Sequence, residues 1–164
     1  MSDKSIPVRV AVRIRPWVQK EKDERSQQFV YKVPTQPQVT IKDSSESFTY
    51  DYVFGPDESQ SQVYETAIPK ILKKIFKGYN VTILAYGQTG SGKTFSMGTT
   101  DIGTSNSQNS GIIPRAVKDL FLKIDQDSST AFEINVSFLE VLKSYFSLNR
   151  LSNYCLLALH GKSV

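Results

Sequence analysis

The chain has 164 residues, 39% apolar and 22% charged, with 20 Lys and Arg against 16 Asp and Glu. That length suits one domain, able to bury about 70% of its unfolded surface, and a net charge of +4 without runs of like charge gives no argument for a nucleic-acid partner. No stretch reaches the ~18 apolar residues of a membrane span, and residues 1–9 lack the apolar centre of a secretory signal. A lone Cys155 excludes an internal disulfide or a multi-cysteine metal site, and His160 is the single histidine. The default compartment is therefore the cytoplasm, with no membrane as partner.

The elements follow in chain order. Val8, Val10, Val12 and Ile14 alternate with Arg9, Ala11, Arg13 and Arg15, which predicts a strand ended by Pro16. Residues 17–28 are polar and charged and read as a solvated loop. Short strands are expected over 29–33 and 39–42, separated by Pro34 and Pro37. Residues 47–54 alternate again through Phe48, Tyr50, Tyr52 and Phe54, and Gly55-Pro56-Asp57 signals a turn.

The period then changes. Val63, Ala67, Ile68, Ile71, Leu72, Ile75 and Phe76 follow helical spacing, predicting a helix from Ser59 or Ser61 to Gly78. Pro69 lies inside it and should kink it or move its start, since proline lacks the N–H and its ring clashes with the preceding turn. Lys70, Lys73, Lys74 and Lys77 form the opposite, solvated face. Residues 79–86 (YNVTILAY) are apolar and rich in β-branching, predicting a strand buried on both faces as in a parallel sheet. Residues 99–110 are nearly all small or polar and read as a mobile surface loop. Pro114 suits the first position of a helix, and Ile113, Val117, Leu120, Phe121 and Ile124 continue it. Phe132, Ile134, Val136 and Phe138 alternate, predicting a strand to about Val141.

One motif carries chemistry. Gly87, Gln88, Thr89, Gly90, Ser91, Gly92, Lys93 and Thr94 match G-x-x-x-x-G-K-[ST] in full, after an expected strand and before an expected helix. Phosphate oxygens need several N–H donors converging in a small arc, and glycines let the backbone turn that tightly. The following helix N-terminus favours an anion. Lys93 brings a compact positive charge to the phosphates, and the Thr94 hydroxyl suits Mg²⁺. The motif by itself leaves open ATP or GTP, and kinase or motor.

Its neighbours narrow that choice. Arg13-Ile14-Arg15-Pro16, FTYDYVF at 48–54, Gly78-Tyr79-Asn80, AYGQTGSGKTFSMG at 85–98 and GIIPRA at 111–116 occur in this order. Together they resemble the N-terminal part of a kinesin motor domain, over about residues 6–141, with most likeness to the chromokinesin-type branch. The resemblance implies an α/β fold: a P-loop NTPase-type mixed sheet flanked by helices. It implies ATP and Mg²⁺ as ligands, residues 87–94 around the phosphates, and Thr94 on the metal through its hydroxyl. Arg13, Arg15 and Pro16 would form one wall of the adenine pocket and Phe95 the other, where the family often has His or Tyr. Microtubules would be the partner and the cytoskeleton the location.

The same resemblance sets limits. The family's two hydrolysis signatures, N-x-x-S-S-R-S-H and D-L-A-G-x-E, do not occur here: Ser128-Ser129 precedes Thr130, and Asp119-Leu120 precedes Phe121. The chain alone is therefore expected to hydrolyse ATP very slowly or not at all, and no catalytic residue is assigned. The family pattern stops near Val141, and residues 142–164 contain Lys143, Arg150 and Lys162 but no acid. The expected division is an incomplete motor domain over 1–141 and a non-family tail over 142–164, rerouted by an alternative transcript or a gene-prediction error. Leu148, Leu151, Cys155 and Leu159 lie near helical spacing, which suggests a short amphipathic helix. Two alternatives stand beside the motor: a non-catalytic nucleotide-binding short form, and an unrelated P-loop enzyme such as a small kinase.

Overall fold

The computed structural model describes residues 8–98, 108–129, 132–133, 155–159 and 162–163. The chain divides into two compact units, 1–58 and 59–164.

The first unit holds two small sheets. Strand β1 (Ala11–Arg13) pairs in parallel with β5 (Tyr52–Phe54), Val12 facing Val53. Strands β2 (Val30–Lys32), β3 (Gln38–Ile41) and β4 (Ser47–Thr49) form an antiparallel meander in that order, with Val39 facing Phe48. Val39, Val53 and Phe54 are its buried apolar side chains. The alternating run 47–54 is thus two strands in two sheets, not one. The break comes at Asp51, whose carboxylate accepts from Val10 N–H at 2.8 Å while its own N–H donates to the Val10 carbonyl at 3.1 Å. These long-range bonds divert the chain although the alternation continues. The polar stretch 17–28 is not wholly loop either: α1 (Gln19–Asp23) forms within it. Its first turn is held by Glu21, which accepts from the Val18 N–H at 3.0 Å.

In the second unit the long helical pattern behaves as its residues dictate. Helix α2 (Gln60–Ala67) starts at Ser59, whose hydroxyl accepts from Gln62 N–H at 3.3 Å while the Gln62 side chain accepts from Ser59 N–H at 2.7 Å. This reciprocal pair satisfies two N–H groups that a helix start leaves without partners. Pro69 ends α2 and opens α3 (Pro69–Leu72), and a 3₁₀ turn (Ile75–Lys77) stops at Gly78 in the left-handed conformation. Val63, Tyr64, Ala67, Ile68, Leu72 and Ile75 turn inward, joining Val81, Met97, Ile112 and Ala116 in one core. Burying side chains as completely as Leu72 and Met97 contributes about 1.5–3 kcal/mol each.

Strand β6 (Val81–Ala85) leads through residues 86–92 into α4 (Lys93–Met97), and α5 (Ile112–Gln126) follows. β6 is covered on one face only. Val81 is buried, but Thr82 and Leu84 are exposed, so its burial alternates where an all-apolar run suggested two covered faces. Its partner, β8 (Cys155–Leu159), runs antiparallel to it, not parallel, with Ile83 facing Leu157. The register explains the correction in the tail: ladder bonds to β6 hold 155–159 extended, where spacing suggested a helix. Leu148 and Leu151 lie outside the described residues. Strand β7 (Phe132–Glu133) pairs antiparallel with β9 (Lys162–Ser163); the rest of the strand expected to Val141 also lies outside them. Pro114 is the third residue of α5, not the first, still in the turn whose N–H groups have no intrahelical acceptor. Most of the 99–110 loop lies outside the described residues, but Ser110 is buried. The architecture is mixed α/β, with parallel and antiparallel pairing.

Candidate functional site

The phosphate motif sits in the second unit, between β6 and α4 as its sequence requires. The loop bends through three glycines with positive φ: Gly87 at 154°, Gly90 at 80° and Gly92 at 94°. At Gly87 the fit is tight, since an added Cβ would lie 2.5 Å from Ser91 Oγ. Ser91 N–H donates to the Gln88 carbonyl at 3.1 Å and closes the turn. Lys93 folds back over the loop: its Nζ donates to the carbonyls of Gly87 and Gln88 at 2.7 and 2.8 Å. The loop thus offers its own cation two backbone carbonyls. Thr94, next along α4, is exposed. Phe95 follows with 47% of its surface exposed, so its ring is not packed in a core.

Arg13, Arg15 and Pro16 belong to the first unit. Arg13 ends β1 partly buried, and its guanidinium donates to the Glu58 carbonyl at 3.4 Å. Burial pulls its pKa below the usual value, and the nearby Glu58 charge partly opposes that. Arg15 forms a two-pronged pair with Glu21, at 2.7 and 2.5 Å, and also donates to the Pro16 carbonyl at 3.1 Å. The pair raises Arg15 and holds Glu21 down to about 2, through the Arg15 hydrogen bond first and the Val18 N–H second. Arg15 is therefore paired with Glu21, and Pro16 stays exposed at the strand end. The two groups of expected adenine residues lie in different units.

Three positions at these sites escaped the sequence reading. Glu21 fixes Arg15. Glu58 accepts from both the Lys32 ammonium and the Gly55 N–H, fixing the turn after β5. Gln60 is 4% exposed, and its amide donates to the Phe95 carbonyl at 2.5 Å and to the Asn109 carbonyl at 3.3 Å. Glu21 and Glu58 sit in polar segments without a motif. Only the cap pattern Ser59-x-x-Gln62 hinted that Gln60 begins a helix. Among the described residues, no group of three or more His, Cys, Asp or Glu is placed to hold a metal, and no helix is long and apolar enough to cross a membrane.

Comparison with known proteins agrees with the loop. The sequence model of the kinesin motor domain matches residues 13–147. The chain is 49% identical over 141 residues to the human chromosome-associated kinesin KIF4A, covering 84% of this chain and 11% of that protein. It is 49% identical over 142 residues to chromosome-associated kinesin KIF4 of Xenopus laevis, covering 85% and 11%. Kinesin-related protein 8 of Dictyostelium discoideum is 44% identical over 135 residues, covering 82% and 7%. The chain thus spans about a tenth of the length of these relatives. A glycine loop wrapped on Lys93, with the blocks before and after it matched at near half identity, leaves one assignment: the chain belongs to the kinesin motor domain family.

Proposed function

We propose that this chain is a nucleotide-binding part of a kinesin motor, and that residues 87–94 hold the phosphates of ATP. The supporting observation is the inward fold of Lys93 onto the Gly87 and Gln88 carbonyls. It keeps the cation on the loop's own backbone, in a turn where a Cβ on Gly87 would meet the Ser91 side chain. The residues fit the ligand on these grounds. Lys93 would exchange two neutral carbonyls for phosphate oxygens, a charge–charge contact stronger than the one it leaves. Thr94 would turn its exposed hydroxyl to Mg²⁺. The metal, when bound, would neutralise phosphate charge. By family resemblance, Arg13, Arg15 and Pro16 of the first unit and Phe95 of the second are each proposed as adenine contacts. Arg15 is already oriented by its pair with Glu21.

Neither hydrolysis signature occurs among residues 1–164, so the activity proposed for this chain is nucleotide binding. Residues 1–141 would be motor domain and 142–164 a segment beside it. Microtubule attachment, movement and a cytoskeletal location are proposals carried by the family. Displacement of a fluorescent ATP analogue tests the binding. ATP should compete in a Mg²⁺-dependent manner, and Thr94→Ala should remove the Mg²⁺ dependence. Absence of saturable binding would contradict it. Co-sedimentation with microtubules, compared with and without ATP, tests the attachment: nucleotide-sensitive pelleting supports motor activity, and none supports a binding-only chain.

A further inference from the structure

We infer that Gln60 is a positioning residue for the phosphate site, acting from α2 on the helix that carries Lys93 and Thr94; this rests on the nucleotide reading above. Gln60 is polar, yet only 4% of it is exposed. Its side-chain amide reaches the carbonyl of Phe95, one residue past Thr94. Helix α4 ends at Gly98, whose φ of 77° turns the chain away, and its N–H closes on Thr94. The Phe95 carbonyl therefore lies in the last turn, where a helix supplies no further N–H of its own. Gln60 supplies a donor there and extends a second contact to the Asn109 carbonyl, just before α5.

The other end of this link is held by further hydrogen bonds. The Ser59–Gln62 cap fixes the start of α2. One turn on, Tyr64 donates its hydroxyl to Asp119 of α5 at 2.7 Å, and burial with that bond keeps the phenol protonated, its pKa raised. Arg115 of α5 in turn donates to the Ser110 carbonyl at 2.8 Å, steadying the segment that Gln60 touches. Gln60 thus ties a five-residue helix, too short to hold its own direction, to a fixed frame. Its effect passes through α4 to the Lys93 ammonium and the Thr94 hydroxyl.

The test is Gln60→Met in the full chain, which keeps the side chain's length and buried fit but removes both N–H donors. ATP affinity is measured with and without Mg²⁺ at a temperature where circular dichroism shows wild type and variant equally folded. The expected result is a loss of about tenfold in Mg·ATP affinity, the upper scale for one lost hydrogen bond. The loss should be smaller in the Thr94→Ala background, because part of it passes through the Thr94 hydroxyl and the two changes are then not additive. Unchanged Mg·ATP affinity, or equal losses in both backgrounds, would overturn the proposal. If wild type binds, Lys93→Ala does not, and Gln60→Met binds as wild type, the nucleotide reading stands and the Gln60 role falls. If wild type itself does not bind, both fall. Should Gln60→Met not fold, the wild-type chain labelled with ¹⁵N-glutamine gives the second measurement. The Gln60 side-chain amide signals should shift on saturation with Mg·ATP, and unmoved signals would overturn the role.

Discussion

Lys93 Nζ lies 2.7 Å from the carbonyl oxygen of Gly87, the first residue of its own loop. The cation and the turn therefore support each other. Gly87 has φ of 154°, which a side chain rarely adopts, and a Cβ there would displace Ser91 Oγ, so Gly87→Ala strains the turn that presents its carbonyl to Lys93. Mg·ATP affinity should fall by about tenfold or more, from strain on the order of 1–3 kcal/mol. Titration calorimetry on wild type and Gly87→Ala checks this; equal affinities would show that the loop can relax.

Glu21 gives a pH signature. Its folded pKa is depressed from 4.5 to about 2, chiefly by the Arg15 hydrogen bond. A depressed carboxylate stabilises the fold above its unfolded pKa, and that contribution is lost as pH falls through the folded value. Wild type should therefore exceed Glu21→Gln in melting temperature by a constant margin above about pH 5, with the margin shrinking between 4.5 and about 2. The pair is partly solvent-exposed, so the margin should be small and should narrow further with added salt. Melting curves across that range, for both chains, decide it.

The Ser59 cap supports α2 and, through it, Gln60. Ser59→Ala removes the acceptor for Gln62 N–H and should cost about 1 kcal/mol, while Ser59→Gly should cost only a few tenths. Urea unfolding midpoints of the two variants give the order.

Much of this second unit is legible in sequence. Ser59, Pro69 and Gly78 mark the start, break and end of the helical run, because each acts through its own local backbone chemistry. The glycine-rich loop at 87–94 is legible for the same reason: its glycines and lysine serve neighbours within the same eight residues. The split between β4 and β5 is not, because Val10 supplies the bonds that make it, some forty residues away along the chain. Helix α1 lacks an apolar stripe, so no period announces it. Gln60 and Glu21 are ordinary polar residues until the fold brings a carbonyl or a guanidinium to them. β6 misleads because composition records its apolar residues and not which face is covered.

Gly98 and Gly111 meet backbone to backbone where α4 ends and α5 begins. A Cβ on Gly98 would lie 2.4 Å from Gly111 N, and Gly98 has φ of 77°. Gly78 has nearly the same φ, 80°, but open space around it. Gly78→Ala should therefore cost about 1–2 kcal/mol from the backbone alone, and Gly98→Ala a further ~1–3 kcal/mol from the clash. Comparison of their urea midpoints checks the difference; equal losses would mean that the glycine contact yields without strain.

The central claim is that the loop at 87–94 binds ATP through Lys93. Titration calorimetry of the purified chain with Mg·ATP, beside Lys93→Ala, tests it most directly. The expected result is saturable binding by wild type that disappears in Lys93→Ala while circular dichroism shows the variant still folded. Binding that survives the substitution, or a folded wild-type chain that takes up no Mg·ATP, would contradict it.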